Sequence, residues 1–528
     1  MTTAFEYFFS NLNRPKTYLI LANILLVFFA ILLSNLGVLP IKNLSDFLFF
    51  TLLFLLFSLY RPGWSFLFFV GTITLENINI APGSLGIAVR PYQFFAGLTI
   101  LAVLGRLVVG RLGFKLPRFS WYDIAPAVFA MSGFISVLGA TDKNAGLKHS
   151  IVALSFVAIY FLARVFIQNI GDLKRIIPFF LSSGIVVIFY GIWQNIRFMK
   201  GLESFETMPG RPNATFAEPD WLGICLVLLL TVIYSLIYFF NNLQLTTYNL
   251  QQKRIYLSNC WLLVVGCLVL LILTVSRGAW LGVAAITIVF LLFALTKLSV
   301  KIREWQWRQF FQQFLFIAVA MIGSIGIVYI FNLTNFQIFN RIQSTGTGLQ
   351  KITVSCEKDI TLPEAIGNIS ALEQYNCRHI NLEDIEKEKS AGNVIKEIYR
   401  TDPNVNIRGE IYRKSWQEIK KHPIFGIGWG NIGAVLGSDE RRIALNSSNI
   451  FLEVWLGAGI LGLLAIILIW VYILVRGIKY FSKDDLGEKT LGLFLFSGGL
   501  ALITVNLFNA GIFLGILWLF FSISRINK

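Results

Sequence analysis

Long apolar runs alternate with short polar connections along most of this chain, and the runs are long enough to cross a bilayer as helices. The pattern predicts crossings near 17–36, 45–60, 63–78, 92–109, 121–140, 148–168, 176–195, 219–240, 256–276, 278–297, 310–332, 448–475, 490–507 and 509–524. Several of these are short, so the expected number is 12 to 14. One interruption differs in kind. Residues 333–447 are polar throughout and too long for a mere connector. The pattern therefore predicts an N-terminal transmembrane bundle over 1–332, a loop domain over 333–447 and C-terminal transmembrane helices over 448–528. The fold class expected is an all-α integral membrane protein with one large extracytoplasmic loop domain between its late helices.

Composition agrees: 56% of residues are hydrophobic and only 14% charged, against about 25% charged in soluble domains. The net charge of +16 does not mark a nucleic-acid binder, because the basic residues sit singly or in pairs at the ends of apolar segments. They read as topology signals. Arg14 and Lys16, Arg61, Arg106 to Arg118, Lys174 and Arg175, Lys253 and Arg254, Lys297 to Arg308, and Arg476 to Lys489 fall in alternate connections. The positive-inside rule then puts both termini in the cytoplasm and residues 333–447 outside. That segment carries 15 Lys and Arg against 14 Asp and Glu, a near balance that translocation tolerates. The start of the chain lacks a cleavage pattern, and the first helix is expected to stay as an anchor.

Three of the five cysteines lie in apolar helices, whereas Cys356 and Cys377 share the polar segment and are natural disulfide partners if it is extracytoplasmic. Three histidines and no Cys/His cluster give no sign of a metal site, and no phosphate-cradling glycine loop of the nucleotide-binding type is present. No cofactor is expected.

The chemistry-bearing residues gather on the predicted outer side. Arg277, in TVSRGAWLG, sits in a reversal between two crossings. Arg408, Tyr412 and Trp416 recur at i, i+4 and i+8 on a polar helix that Pro423 ends, so they share one face. The glycines of GIGWG, Gly426, Gly428 and Gly430, allow tight turns after it. GRPNATFAEPDWLG offers Arg211, Glu218 and Asp220 at the entry to another crossing, where Asp220 reads more readily as a helix cap than as a ligand. Its Asn213-Ala-Thr215 triplet matches a glycosylation sequon, a weak pattern by itself. Ser448 also reads as a cap, whereas Glu453, one turn inside an apolar run, is costly to bury unless paired or functional. Arginines at a lipid boundary suit a diphosphate on a polyprenyl chain, since the guanidinium matches phosphate oxygens bidentately. Tyr412, Trp416 and Trp429 are candidates for stacking on sugar rings, with packing or an interfacial belt the commoner role.

SRGAW at 276–280, the block from Arg408 to HPIFGIGWGN, and NIFLEVWLGAGILG at 449–462 resemble the O-antigen ligase and polymerase superfamily of bacterial membrane glycan transferases. The resemblance covers roughly 256–464, with the 210–223 segment upstream. It implies transfer of a glycan from an undecaprenyl-diphosphate donor, on the periplasmic face of the inner membrane, to lipid A-core or a growing polysaccharide. It implies that Arg277 and Arg408 hold the diphosphate and stabilise its charge as it leaves. His422, before the proline of the HP pair, reads as structural, and Tyr412 stands where the family usually has tryptophan.

One departure stands out. The family usually has a histidine before the asparagine equivalent to Asn449, and this chain has Ser448, which cannot do acid/base work near neutral pH. Glu218, Asp220, Asp439 or Glu453 substitutes, leaving-group stabilisation suffices, or the chain does something else. The departure favours a polymerase or a divergent transferase over a ligase. Two other readings compete: a transporter or flippase, which should show repeats, broken helices and midplane ionisable residues, and a non-catalytic assembly scaffold. Repeats are not evident in the sequence, and ionisable residues within the runs are scarce.

Overall fold

The computed structural model describes residues 17–526 apart from 115, 244–249, 297–301, 334–348, 368, 381–384, 402, 439–443 and 482. It contains two compact units, Met1–Leu333 with Glu418–Lys528, and Thr334–Gln417. The second unit is shorter than the 333–447 domain expected from polarity. Residues 418–447 go with the helices because their backbone is hydrogen-bonded into the bundle, as described below.

The first unit is helical: α1 Thr17–Asn35, α2 Leu44–Tyr60, α3 Pro62–Thr72, α4 Pro91–Val108, α5 Ile124–Ser136, α6 Lys143–Phe166, α7 Ile170–Met199, α8 Pro219–Asn242, α9 Leu250–Thr274, α10 Arg277–Thr296 and α11 Trp307–Ile330. Among the described residues, eleven helices are long and apolar enough to cross a membrane, counting α5 with the 3-10 turns that extend it to Trp121–Gly139, and α2, at 17 residues, is just shorter. Two expected crossings are α-helical over only part of their length. The run at 63–78 is helical only over the 11 residues of α3, about 16 Å at the helical rise, too little for a bilayer. From there to Arg90 the chain is irregular and, over 71–76, buried. Non-helical backbone at such depth needs partners from within the protein. The Thr215 hydroxyl supplies one to the Thr74 carbonyl (2.6 Å), and the Thr215 carbonyl accepts from the Asn77 amide (2.7 Å).

The second unit holds β1 Leu349–Cys356, β2 Ala365–Ile366, β3 Cys377–His379, α12 Ile385–Ser390 and β4 Val394–Thr401. They form a four-stranded sheet in the order β2-β4-β1-β3, antiparallel except for β2 with β4. The expectation of an ordered loop domain did not include strands. The alternation of Ile352, Val354 and Cys356 with Lys351, Thr353 and Ser355 is the strand pattern, and the three apolar residues join Cys377, Ile366, Leu372 and Ile398 in the core. Cys356 and Cys377 face each other across β1 and β3 and are joined by a disulfide. Glu388 of α12 accepts from Ser355, Arg378 and Asn393, and these donors pull its carboxyl down to about 2.

α13, Pro403–Lys421, is one continuous helix that carries the chain out of the second unit, its last residues counting with the first. After it come α14 Ile432–Leu436, α15 Ile450–Phe481, α16 Leu486–Asn506 and α17 Gly515–Ile523. The expected crossing at 509–524 is helical only over the nine residues of α17, with the irregular stretch before it mostly buried. α15 packs on α16 and α5, and α16 on α8 and α10.

α15 is broken at Gly459, whose backbone (φ 66°, ψ −169°) lies where side-chain-bearing residues are not found. The glycine loop fills the break. Gly426, Gly428 and Gly430 all have positive φ, and the loop runs so close to α15 that a Cβ on Gly426 would meet the Leu456 carbonyl at 2.4 Å. The Ile427 amide donates to the Leu456 carbonyl (2.7 Å), and the Ile460 amide to the Ile424 carbonyl (3.1 Å), so two of the groups released by the break find partners in the loop. Trp429 is 1% exposed, with its ring against Gly133 and Gly457, and is packing rather than a sugar platform. Asn431 exchanges hydrogen bonds with the backbone of Asp142, anchoring the end of the loop to the start of α6.

Candidate functional site

The sequence order brings the ends of α8, α9, α10, α15 and α16 to one end of the first unit, the end at which α11 finishes. α9 and α10 are separated only by Val275 and Ser276. Val275 has φ 54°, a genuine outlier for a β-branched residue, and Ser276 is fully buried. This tight reversal puts Arg277 at the first position of α10, half-buried, where helix amides and a guanidinium both favour an anion.

The other elements close around that reversal. Arg211 donates from Nε to the Thr274 carbonyl at 3.0 Å, which sets a second guanidinium beside it. Gly223 of α8 packs so tightly that a Cβ there would stand 2.7 Å from Ala279 and 3.1 Å from the Ser276 hydroxyl. On the other side, Gly278 lies against Asn509 and the Val505 carbonyl. The Asn449 amide donates to the Leu507 carbonyl at 3.2 Å, bringing in the start of α15.

Within this group, two helix starts differ from their sequence readings. The cap position of α8 is Glu218, with Pro219 at the first helical position, and the Glu218 side chain makes no capping bond. Asp220, expected to cap, instead pairs with Arg211 at 3.6 Å. The reason is Pro219, whose fixed φ starts the helix one residue before the carboxylate. At α15 the cap is Asn449, whose side-chain oxygen accepts from Phe451 (2.9 Å) and Leu452 (3.3 Å). Ser448, also expected to cap, lies outside the helix with φ 51°. Glu453 is 8% exposed and accepts from both the amide and the hydroxyl of Ser447, each at 2.7 Å. Its burial is thereby satisfied, and it fixes the turn that presents Ser448.

Arg408, Tyr412 and Trp416 lie on α13 in the second unit. Burial lifts the Tyr412 phenol above its ordinary range, against the opposing pull of the Arg408 cation one turn earlier. Trp416 is exposed. Asp439 lies outside the described residues.

The loop before α8 adds a residue the sequence gave no reason to select. Glu206 accepts from the Gly210 amide at 2.8 Å and from the Ser204 hydroxyl at 3.2 Å, while its other oxygen is buried without a hydrogen-bond partner among the described residues. Burial dominates and pushes its carboxyl up to about 7. Asn213 in the same loop is 1% exposed and bonded to Thr207 and Phe216, so the sequon is not accessible to a glycan.

Backbone strain is concentrated in these segments. Six described non-glycine residues have positive φ, and two are asparagines, which tolerate it. The other four are Phe205, Ala214, Val275 and Ser448. All four lie in the loop before α8, in the α9–α10 reversal or at the entry to α15.

Fold and site together define a multi-pass helical membrane protein with a small disulfide-bonded unit inserted before its last helices. A family model described as O-antigen ligase matches residues 262–467. The match takes in the second half of α9, the Arg277 reversal, the second unit, the glycine loop and the first half of α15, and it supports the superfamily resemblance carried by the motifs. No curated protein matches the chain.

Proposed function

We propose that the chain transfers or polymerises a glycan carried on undecaprenyl diphosphate, at the extracytoplasmic face of the bacterial inner membrane. Family-level similarity supports O-antigen ligase-like glycan transfer. The observation that carries the finer reading is the strained reversal at Val275, which holds Arg277 at a helix N-terminus and has Arg211 bonded to its Thr274 carbonyl. In this reading an acceptor hydroxyl attacks the anomeric carbon of the donor sugar. The bond from that carbon to the diphosphate breaks with its electron pair on the diphosphate, and Arg277 and Arg408 stabilise the charge gained. Tyr412 and Trp416 contact the sugars, and a carboxylate near the entry takes the acceptor proton. Lipid A-core or a growing polysaccharide is the acceptor, and Ser448 in place of histidine weighs toward a polymerase or divergent transferase. The Cys356–Cys377 disulfide supports an oxidising compartment for the second unit, with both termini on the cytoplasmic side.

Transport is the second reading, and one observation favours it. α3, α17 and the break in α15 are discontinuous helices, which the sequence did not lead one to expect. Against it, the Gly459 break is filled by the protein's own backbone rather than left open toward a substrate. The deciding experiment uses the purified full chain in nanodiscs with a panel of undecaprenyl-diphosphate oligosaccharides, beside Arg277→Ala and Arg408→Ala. Release of undecaprenyl diphosphate with a longer or acceptor-linked glycan, lost in both variants, supports transfer. No turnover by folded protein with donor and acceptor from its own source favours transport or scaffolding.

A further inference from the structure

At the opposite end of the first unit, α5 and the second half of α15 line a lateral groove of about 570 Å³. Its walls are apolar, with Ile124 and Val128 on one side and Leu464, Leu468 and Val471 on the other. Leu468 is 58% exposed and Val471 51%, so the groove opens sideways, onto the surface that a bilayer covers. Its head is cationic. Arg476 and Lys479 come from α15 and Arg525 from the chain after α17, three cations from two elements around one opening. An adjoining space of about 330 Å³ adds Lys483 to Arg476 and Lys479.

Two buried carboxylates, Asp123 and Glu488, lie near these cations and balance them only in part. Asp123 is fully buried and already bonded to Arg164 and to the Tyr160 hydroxyl (2.8 Å). It stands 3.9 Å from Arg525 Nε. Asp485, close to Lys483 in sequence, caps α16 through the Glu488 amide. The single Asp123 charge is shared between Arg164 and Arg525, and the head arginines are held mainly by neutral groups. Arg476 donates to the Tyr480 hydroxyl (2.8 Å) and the Ile526 carbonyl (2.9 Å), while its Nε is buried with no hydrogen-bond partner among the described residues. Arg525 donates to the Tyr472 hydroxyl at 2.7 Å, and both guanidinium carbons lie within 6 Å of the Tyr472 ring, at 5.9 and 5.6 Å.

Scattered cations at this end are what topology alone requires. A fixed cluster at the mouth of an acyl-sized apolar groove is not. We infer that this groove binds an anionic glycerophospholipid of the surrounding bilayer, with an acyl chain between α5 and α15 and the phosphate at Arg476, Lys479 and Arg525. The site is separate from the candidate transfer site at the other end of the unit and does not depend on that function.

The test titrates the full-length protein in detergent with phosphatidylglycerol or phosphatidylcholine of the same acyl chains and counts retained lipid by native mass spectrometry. Phosphatidylglycerol should be retained preferentially and should raise the thermal unfolding midpoint more than phosphatidylcholine does. Lys479→Gln, at an exposed position, should weaken that preference roughly fivefold, and adding Arg476→Gln should weaken it about as much again. Leu468→Trp, which fills the groove from an exposed position, should reduce retention of both lipids while leaving the protein monodisperse. Equal retention of the two lipids by the native protein, an unchanged preference in folded Lys479→Gln, or unchanged retention in folded Leu468→Trp overturns the inference. So does stronger retention of a polyprenyl monophosphate than of phosphatidylglycerol.

Discussion

The Ile427 amide donates a 2.7 Å hydrogen bond to the Leu456 carbonyl, joining the glycine loop to a transmembrane helix at the place where that helix is broken. Three residues further along α15, Gly459 supplies the backbone geometry of the break, and a Cβ there would stand 2.1 Å from the Ile424 carbonyl. Gly459→Ala should therefore destabilise the protein by ~2 kcal/mol or more, from backbone strain with the clash added. The expected readout is a lower thermal unfolding midpoint, or loss of monodisperse protein in detergent. A variant as stable as the parent would mean that the break is not held as described.

In the proposed function Arg277 contacts a diphosphate through a planar fork, which an ammonium group does not reproduce. Arg277→Ala should lower glycan transfer roughly 100-fold or more. Arg277→Lys should recover little of it, although it restores the charge. Full activity in the lysine variant would reduce the role of Arg277 to simple electrostatics.

Glu453 accepts two hydrogen bonds from Ser447 and is otherwise enclosed. A glutamine retains one acceptor oxygen there, so Glu453→Gln should cost ~1–3 kcal/mol and Glu453→Ala more, because Ser447 then loses every partner on that side chain. If Glu453 only positions the Ser447–Asn449 turn, the variant lowers the unfolding midpoint and the maximal rate without moving the pH–rate profile. A displaced profile would instead make it the acid/base group.

Glu206 is protonated more readily in the folded protein than in the unfolded chain, because burial raises its carboxyl to about 7 from 4.5. Its contribution to stability is therefore fully present below about 4.5 and is lost as pH rises through about 7. Glu206→Gln, which keeps the neutral shape, should lessen that loss. The parent and variant should have similar midpoints near pH 5, with the variant the more stable at pH 8. Parallel midpoint curves across this range would show that the carboxyl is ordinary.

Much of this protein was legible without coordinates. Apolar run length alone identified the long helices, since a bilayer imposes one requirement on every crossing segment. The family motifs named Arg277, Arg408 and the glycine loop, and polarity marked an inserted unit. Two short helices were misread as full crossings because a buried irregular segment is as apolar as a helix. Composition records burial, whereas the hydrogen bonds from Thr215 that let the 73–77 backbone leave the helix come from 140 residues away in sequence.

Tertiary structure likewise decided which polar residues cap and which pair. Asp220 and Ser448 both looked like caps, yet Pro219 moved one helix start and Asn449 took the other. Trp429, a candidate for sugar stacking with packing the commoner role, is carried into the bundle by the loop's positive-φ glycines. The sequence by itself determined which segments enter the membrane and which residue types stand at their ends, because hydrophobicity and charge act locally. Only the tertiary structure decided how those ends meet, since the reversal holding Arg277 is shaped by contacts from α8, α16 and the loop before α8, far apart along the chain.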